Sequence, residues 1–157
     1  MSSSREDLLQ PTLTRQSQTL APYSVQTTLL TGFFGGPFAA LAILATNSVR
    51  LRRVSRDAAV LGTLLLAVVL GGWWLFHSAA GADVRGWFVE QFGATAARFS
   101  RQGGGLVIVG IGYMLHRKEQ VGADLAGLTR PNGWFAGLPC AILGAILFTL
   151  FVRAVVR

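Results

Sequence analysis

The chain has 157 residues, of which 52% are hydrophobic and 13% are charged, a balance that excludes an ordinary soluble domain of this size. Its mean hydropathy of +0.49 predicts an all-α integral membrane protein with one membrane domain, residues 23–157. The net charge of +7 does not favour nucleic acid, because the basic residues are spread over every polar segment rather than gathered in one stripe. Anionic lipid headgroups are the expected partner.

Residues 1–22 form a polar N-terminal tail that lacks the apolar core of a secretory signal peptide. The first apolar segment, about 27–48, then gives eighteen largely apolar residues between Leu29 and Thr46, near the minimum for crossing a hydrocarbon core of about 30 Å. Gly35, Gly36 and Pro37 interrupt it, and the proline predicts a bend.

The interruption at Gly35–Pro37 has two interpretations. It is either a kink that neighbouring helices tolerate or a division into two half-helices, whose free N–H groups would hold an anion near mid-membrane depth. The kink is favoured. A re-entrant first segment, which turns back at this point, would leave the N-terminal tail on the cytoplasmic side.

A short basic connection follows the first segment, and it sets the predicted orientation. Because arginines in short loops are retained in the cytoplasm, this connection is placed there, against anionic headgroups. The second span, about 58–80, ends near Trp73 and Trp74, as interfacial aromatic residues do. The four arginines of the connection are Arg50, Arg52, Arg53 and Arg56.

Residues 83–101 are predicted to form an amphipathic helix that lies in the membrane interface, on the outer side. Its aromatic side chains recur at helical spacing, and the glycine run 103–105 is expected to end it. A short apolar stretch, about 104–116, follows; it either spans or forms a partial helix, which makes three to four transmembrane helices in all. The interfacial residues are Trp87, Phe88, Phe92 and Phe99.

The last span, about 133–153, carries small residues at four-residue spacing. Such a face lets another helix approach closely, either within the chain or in another protomer. The packing face consists of Ala136, Gly137, Cys140, Ala141, Gly144 and Ala145.

No catalytic, metal or cofactor site is predicted. His77 and His116 are interpreted as interfacial polar residues, since they would lie near opposite surfaces if the short segment spans. The three predicted spans 27–48, 58–80 and 133–153 hold no carboxylate, the group that usually marks an ion or proton relay inside a membrane. Neither a phosphate-binding loop nor a Ser-His-Asp triad is indicated, because the sequence patterns that accompany them do not occur.

Ala21-Pro22-Tyr23-Ser24, the run Phe33–Ala40 and the sequence from Asn47 to Arg53 resemble the first segment of a loose group of small bacterial multi-pass membrane proteins, functionally uncharacterised, with a Phe-x-Gly-Gly-Pro signature. The match covers about thirty-five residues. The resemblance implies a bacterial multi-pass membrane protein and no particular activity.

The functional prediction is a non-enzymatic protein of the bacterial inner membrane, an accessory or scaffold subunit that acts through helix packing with a membrane-protein partner or a second copy. The alternative is a small channel or transport component that uses the broken first helix. A lipid-acting membrane enzyme is the weaker alternative, because no set of acid, base or metal ligands is seen. A polar cavity past Gly35–Pro37 would favour the channel, and a filled bundle would favour the scaffold.

Overall fold

The computed structural model describes residues 20–156, so most of the predicted polar tail lies outside the described residues. Over this range the chain is helical, with no strand. Three of the helices, α1, α2 and α5, are long and apolar enough to cross a membrane. The helices are α1 (Val25–Arg50), α2 (Val54–His77), α3 (Ala79–Phe92), α4 (Ala96–Leu125) and α5 (Trp134–Val156), with a 3-10 turn (Gly93–Thr95) between α3 and α4.

Helix α1 is folded back on itself at Gly36, whose backbone leaves the helical region at φ 77° and ψ −161°. The N–H of Tyr23 donates a 2.8 Å hydrogen bond to Oδ1 of Asn47, 24 positions later in the chain. In a straight helix those positions would lie about 36 Å apart. Residues 25–35 and 37–50 therefore run antiparallel, as a helical hairpin with its apex at Gly35–Pro37 and its mouth at Tyr23 and Asn47.

The fold-back corrects the prediction of one transmembrane span over 27–48. The interruption lies where the sequence placed it, but it is a reversal rather than a bend, and Gly36 rather than Pro37 adopts the non-helical conformation. The two halves are about 17 and 21 Å long, so neither reaches across a core of about 30 Å. The turn-back at Gly35–Pro37 that the alternative interpretation required is the one observed.

Helices α4 and α5 hold the hairpin between them by backbone-to-backbone contact. A Cβ added to Gly105 of α4 would lie 2.0 Å from the carbonyl oxygen of Gly32, and one added to Gly144 of α5 would lie 2.5 Å from the backbone nitrogen of Ala39. Both helices continue past the apex, where Phe151 of α5 packs edge-on against Phe38 at a ring separation of 5.7 Å. Helices α4 and α5 are thus longer than the hairpin, which lies along about one half of their length.

The path of α4 corrects two further predictions. The glycine run 103–105 does not end a helix: α4 passes through it without interruption, and the last of the three, Gly105, packs closely on the hairpin. The break lies at Gly93 instead, at φ 56°, so the predicted interfacial helix 83–101 is divided between α3 and the start of α4. The short segment 104–116 is the middle of a helix of 30 residues.

The apolar core lies between the second half of the hairpin and α4. It comprises Ala40, Leu41, Leu44, Ile108 and Val109, and α2 covers one side of it. Helix α2 is otherwise peripheral, since Asp57 is its one buried residue. The hairpin is the best enclosed element of the described chain, and α2 is the most exposed of the long apolar helices.

Candidate functional site

A buried polar cluster at the mouth of the hairpin joins three helices. It contains Ser48 at the end of α1, Asp57 in the first turn of α2 and His116 of α4, each 1% exposed or less. The hydroxyl of Ser48 donates to Oδ2 of Asp57 at 2.8 Å, and Nε2 of His116 lies 2.9 Å from the same oxygen. Because a carboxylate oxygen accepts, His116 carries its proton on Nε2.

Charged groups extend this cluster toward the surface. A guanidinium nitrogen of Arg53 lies 3.7 Å from Oδ1 of Asp57 and another pairs with Glu119. Asp57 thus has a cation and two hydrogen-bond donors around it, the condition under which a buried carboxylate is tolerated. The cluster ties the start of α2 to the ends of α1 and α4.

A second polar group holds the chain that enters the hairpin. Asn47 accepts from the N–H of Tyr23, and the side-chain amide of Gln120 donates to the carbonyl of the same residue at 2.9 Å. Arg50 donates to the carbonyl of Ala21 at 2.9 Å, and its guanidinium lies over the Tyr23 ring, 4.9 Å from the centroid. Both backbone polar groups of Tyr23 are therefore satisfied although the residue is buried.

The combination Ser48, Asp57 and His116 has the residue types of a hydrolytic triad but not its geometry. In a triad the serine and the carboxylate contact opposite ring nitrogens. Here both contact Nε2 of His116, from which Ser48 Oγ lies 3.3 Å away, and Nδ1 has no hydrogen-bond partner among residues 20–156. All three are buried, so the arrangement fixes helices together rather than activating a nucleophile.

The apex, predicted as a helix break at Gly35, Gly36 and Pro37, is closed by its neighbours. A Cβ added to Gly35 would lie 2.6 Å from Cα of Ala141, and one added to Gly36 would lie 2.5 Å from Cγ of Arg101. The backbone nitrogen of Ala39, in the first turn of the second half-helix, faces α5 at Gly144. The apex is thus filled by protein atoms rather than open to an anion.

The predicted packing face of α5 lies against α1. Gly137 approaches the Thr31 side chain and Gly144 approaches the backbone of Ala39. Beside them, Ala136, Cys140, Ala141 and Ala145 are half-buried. The Gly137 and Gly144 part of this face is occupied by α1 within the chain, and the other four residues remain partly exposed.

The four arginines predicted at the first connection divide into two pairs. Arg50 and Arg53 turn inward, to the Tyr23 segment and to the mouth cluster as described. Arg52, at φ 53°, and Arg56 are exposed. Only the second pair is free to meet headgroups.

The predicted interfacial aromatic residues form a row on the outside of the protein. Phe88 lies 5.8 Å from Trp87 and 4.8 Å from Phe92, and Phe92 lies 5.0 Å from Phe99, between ring centroids. Trp87, Phe92 and Phe99 are exposed. Their contact with lipid stays a prediction.

The sequence interpretation missed the mouth cluster: it took His116 as an isolated interfacial polar residue, whereas the structure buries its side chain among three helices, with 1% exposed. One signal was available: on α4 the buried face is marked at helical spacing, and His116 and Gln120 continue it beyond the glycines. Polar residues that extend an apolar stripe are candidates for buried hydrogen bonding. The buried series is Gly105, Val109, Gly112, His116 and Gln120.

His77 lies far from this cluster, at the end of α2, where its ring stacks on Trp73 with a centroid separation of 5.1 Å. No group of three or more His, Cys, Asp or Glu residues in the described range is arranged to hold a metal ion.

Comparisons with protein-family models, with curated proteins and with solved structures found no match.

Proposed function

We propose that this chain is a non-enzymatic, multi-pass protein of the bacterial inner membrane that acts as an accessory or scaffold subunit through helix packing. The observation that carries the proposal is the filled apex, where Gly35, Gly36, Gly105 and Gly144 bring backbones into direct contact. The polar groups at the mouth are likewise used to join helices. Protein atoms close both the apex and the mouth cluster; a cleft of about 390 Å³ lies beside the apex, between the first half of the hairpin and α5.

In the proposed membrane arrangement, the hairpin enters and leaves on one side, while α2, α4 and α5 cross. Irregular backbone at membrane depth is tolerated where protein covers it, as at this apex. In the described chain the mouth end carries seven basic residues and the opposite end four, so the positive-inside rule places the mouth in the cytoplasm. The seven are Arg50, Arg52, Arg53, Arg56, Arg117, Lys118 and Arg130, and the four are Arg85, Arg98, Arg101 and Arg153. Helix α3 then lies at the outer surface, and the tail and the mouth share one side.

The exposed face of α2 is the proposed contact for a partner helix. In its most apolar 18-residue window no residue is buried, and no protein atom lies within 4 Å of where a Cβ would stand on Gly71. Ala59, Thr63 and Ala67 precede Gly71 at four-residue spacing and are exposed. A helix that contributes little to its own bundle and presents small residues outward is suited to close packing with another protein.

The channel or transport alternative has less support, because it depends on an open polar space past Gly35–Pro37. The lipid-acting enzyme has the least support, because Ser48, Asp57 and His116 are buried and do not have the arrangement of a catalytic triad. Bacterial origin rests on the resemblance of the first segment.

A photo-crosslinking amino acid at Ala67 in the full-length protein, in native membranes, tests the scaffold proposal. We expect one discrete adduct with a membrane protein or a second copy, and its loss when Thr63 is replaced by Leu. The matched control is the same probe at Leu147, which is exposed on α5 and should react with lipid alone. Lipid adducts alone at both positions would contradict the proposal.

A further inference from the structure

A cleft of about 710 Å³ lies at the end of the bundle opposite the mouth, between α3, the start of α4 and the ends of α2 and α5. Four arginines line it: Arg85, Arg98, Arg101 and Arg153. No carboxylate lines it, and none of the four is within ion-pair distance of one in residues 20–156. The concentration of unpaired positive charge in a concave surface calls for an anionic occupant.

The position of Arg101 makes this charge unusual. Its stem lies against the hairpin apex at Gly36, and its Nε is buried without a hydrogen-bond partner in the described chain. Along α4, Arg101 is one helical turn from Gly105, which contacts the hairpin at Gly32. In the proposed membrane arrangement this places a guanidinium below the outer surface, where an unpaired charge is costly and ordinarily marks a binding function.

The remainder of the lining is apolar. Phe88 of α3 and Phe148 and Val152 of α5 flank the arginines, and Arg85 already lies over the Phe76 ring, 4.7 Å from its centroid. The start of α4 opens on the same cleft, and no side chain caps its first turn, which adds the positive end of a helix dipole. Charge beside apolar surface matches an amphiphile rather than a free ion.

We infer that this cleft binds one anionic phospholipid. Guanidinium groups suit phosphate oxygens because they donate paired, charge-assisted hydrogen bonds. The headgroup phosphate would lie among Arg98, Arg101 and Arg153, and the acyl chains would follow Phe88 and Phe148 into the bilayer. The cleft volume falls in the range of ligand pockets, about 300–1,000 Å³, and far exceeds what an inorganic phosphate would fill.

The test titrates phosphatidylglycerol and phosphatidylcholine into the full-length protein in neutral detergent and measures first-lipid binding by native mass spectrometry. We expect phosphatidylglycerol to bind about tenfold or more tightly than phosphatidylcholine, because both lipids carry the phosphate but the quaternary ammonium group of phosphatidylcholine is repelled by the four arginines. The double variant Arg98→Gln, Arg153→Gln should lose most of that preference. Both arginines are exposed, and the helix content of the variant is checked by circular dichroism.

The matched control is Arg52→Gln, Arg56→Gln, which removes two exposed arginines at the mouth end and should keep the preference. Arg101→Gln gives a second, independent loss of preference from the buried side of the cleft. Equal affinity for the two lipids, or an unchanged preference in the cleft variants, would overturn the inference. So would displacement of the lipid by millimolar inorganic phosphate, which would show a site for the ion alone.

Discussion

Replacing Gly105 and Gly103 by alanine, one at a time, should change stability in opposite directions. The two glycines are neighbours on α4, but a Cβ on Gly105 would lie 2.0 Å from the carbonyl oxygen of Gly32, whereas no protein atom lies within 4 Å of one on Gly103. Gly103→Ala therefore measures the effect of the helix preference of alanine on stability, and Gly105→Ala adds the effect of disturbed packing on the hairpin.

The magnitudes follow from these distances. Ordinary contact begins near 3.4 Å, so the hairpin must move more than about 1 Å from α4 to admit the methyl group of Gly105→Ala. Overpacking of this kind costs about 1–3 kcal/mol in the free energy of unfolding. Gly103→Ala meets no such contact and should gain up to about 1 kcal/mol from helix propensity.

The assay is thermal unfolding of the purified variants in one detergent, followed by circular dichroism. At about 2–4 °C per kcal/mol for a chain of this size, Gly105→Ala should lower the midpoint by several degrees, and Gly103→Ala should leave it unchanged or slightly raised. Equal effects of the two substitutions would refute the backbone contact between α4 and the hairpin.

Three further predictions concern the apex, the mouth and α3. Gly36→Ala should open the hairpin, because φ 77° with ψ −161° is a region open essentially to glycine alone, whereas Pro37→Ala should preserve it; spin-label distances across the mouth measure both. Asp57→Ala should lower the free energy of unfolding by about 3–5 kcal/mol, since it leaves His116 and Arg53 without their buried partner, and the destabilisation is read by thermal unfolding. Phe88→Asp should detach α3 from the membrane, because burial of such a side chain stabilises by about 1.5–3 kcal/mol; with Trp73, Trp74 and Trp134 replaced by Phe, a loss of the quenching of Trp87 fluorescence by brominated lipid reports it.

The sequence predicted those features that depend on local composition. Long apolar runs located α2 and α5, and the glycines and proline of the first segment marked where α1 is interrupted. Hydropathy has the same value whether an apolar segment crosses a membrane or returns to the same side, so it could not distinguish a span from a hairpin. That distinction depends on contacts between distant positions, such as Tyr23 with Asn47.

The mouth cluster was hidden for a similar reason. Ser48 and Asp57 stand at the two ends of the first basic connection and His116 lies in a distant polar stretch, and each by itself looks like a residue at the end of a helix. Glycine gave an ambiguous signal as well: within the run 103–105, Gly105 allows close packing of α4 on the hairpin, while the single Gly93 ends α3. The role of a glycine is set by what its missing Cβ would meet, which the sequence does not state.

The central claim is that α1 is a helical hairpin, and a distance across its mouth tests it most directly. Spin labels at Gln26 and Val49, both exposed, are introduced with Cys140 replaced by Ala in the full-length protein, and their separation in lipid bilayers is measured by pulsed electron paramagnetic resonance. Antiparallel halves about 10 Å apart predict a label separation of roughly 10–20 Å. A separation near 35 Å, the value for 23 residues of straight helix at about 1.5 Å each, would contradict the hairpin.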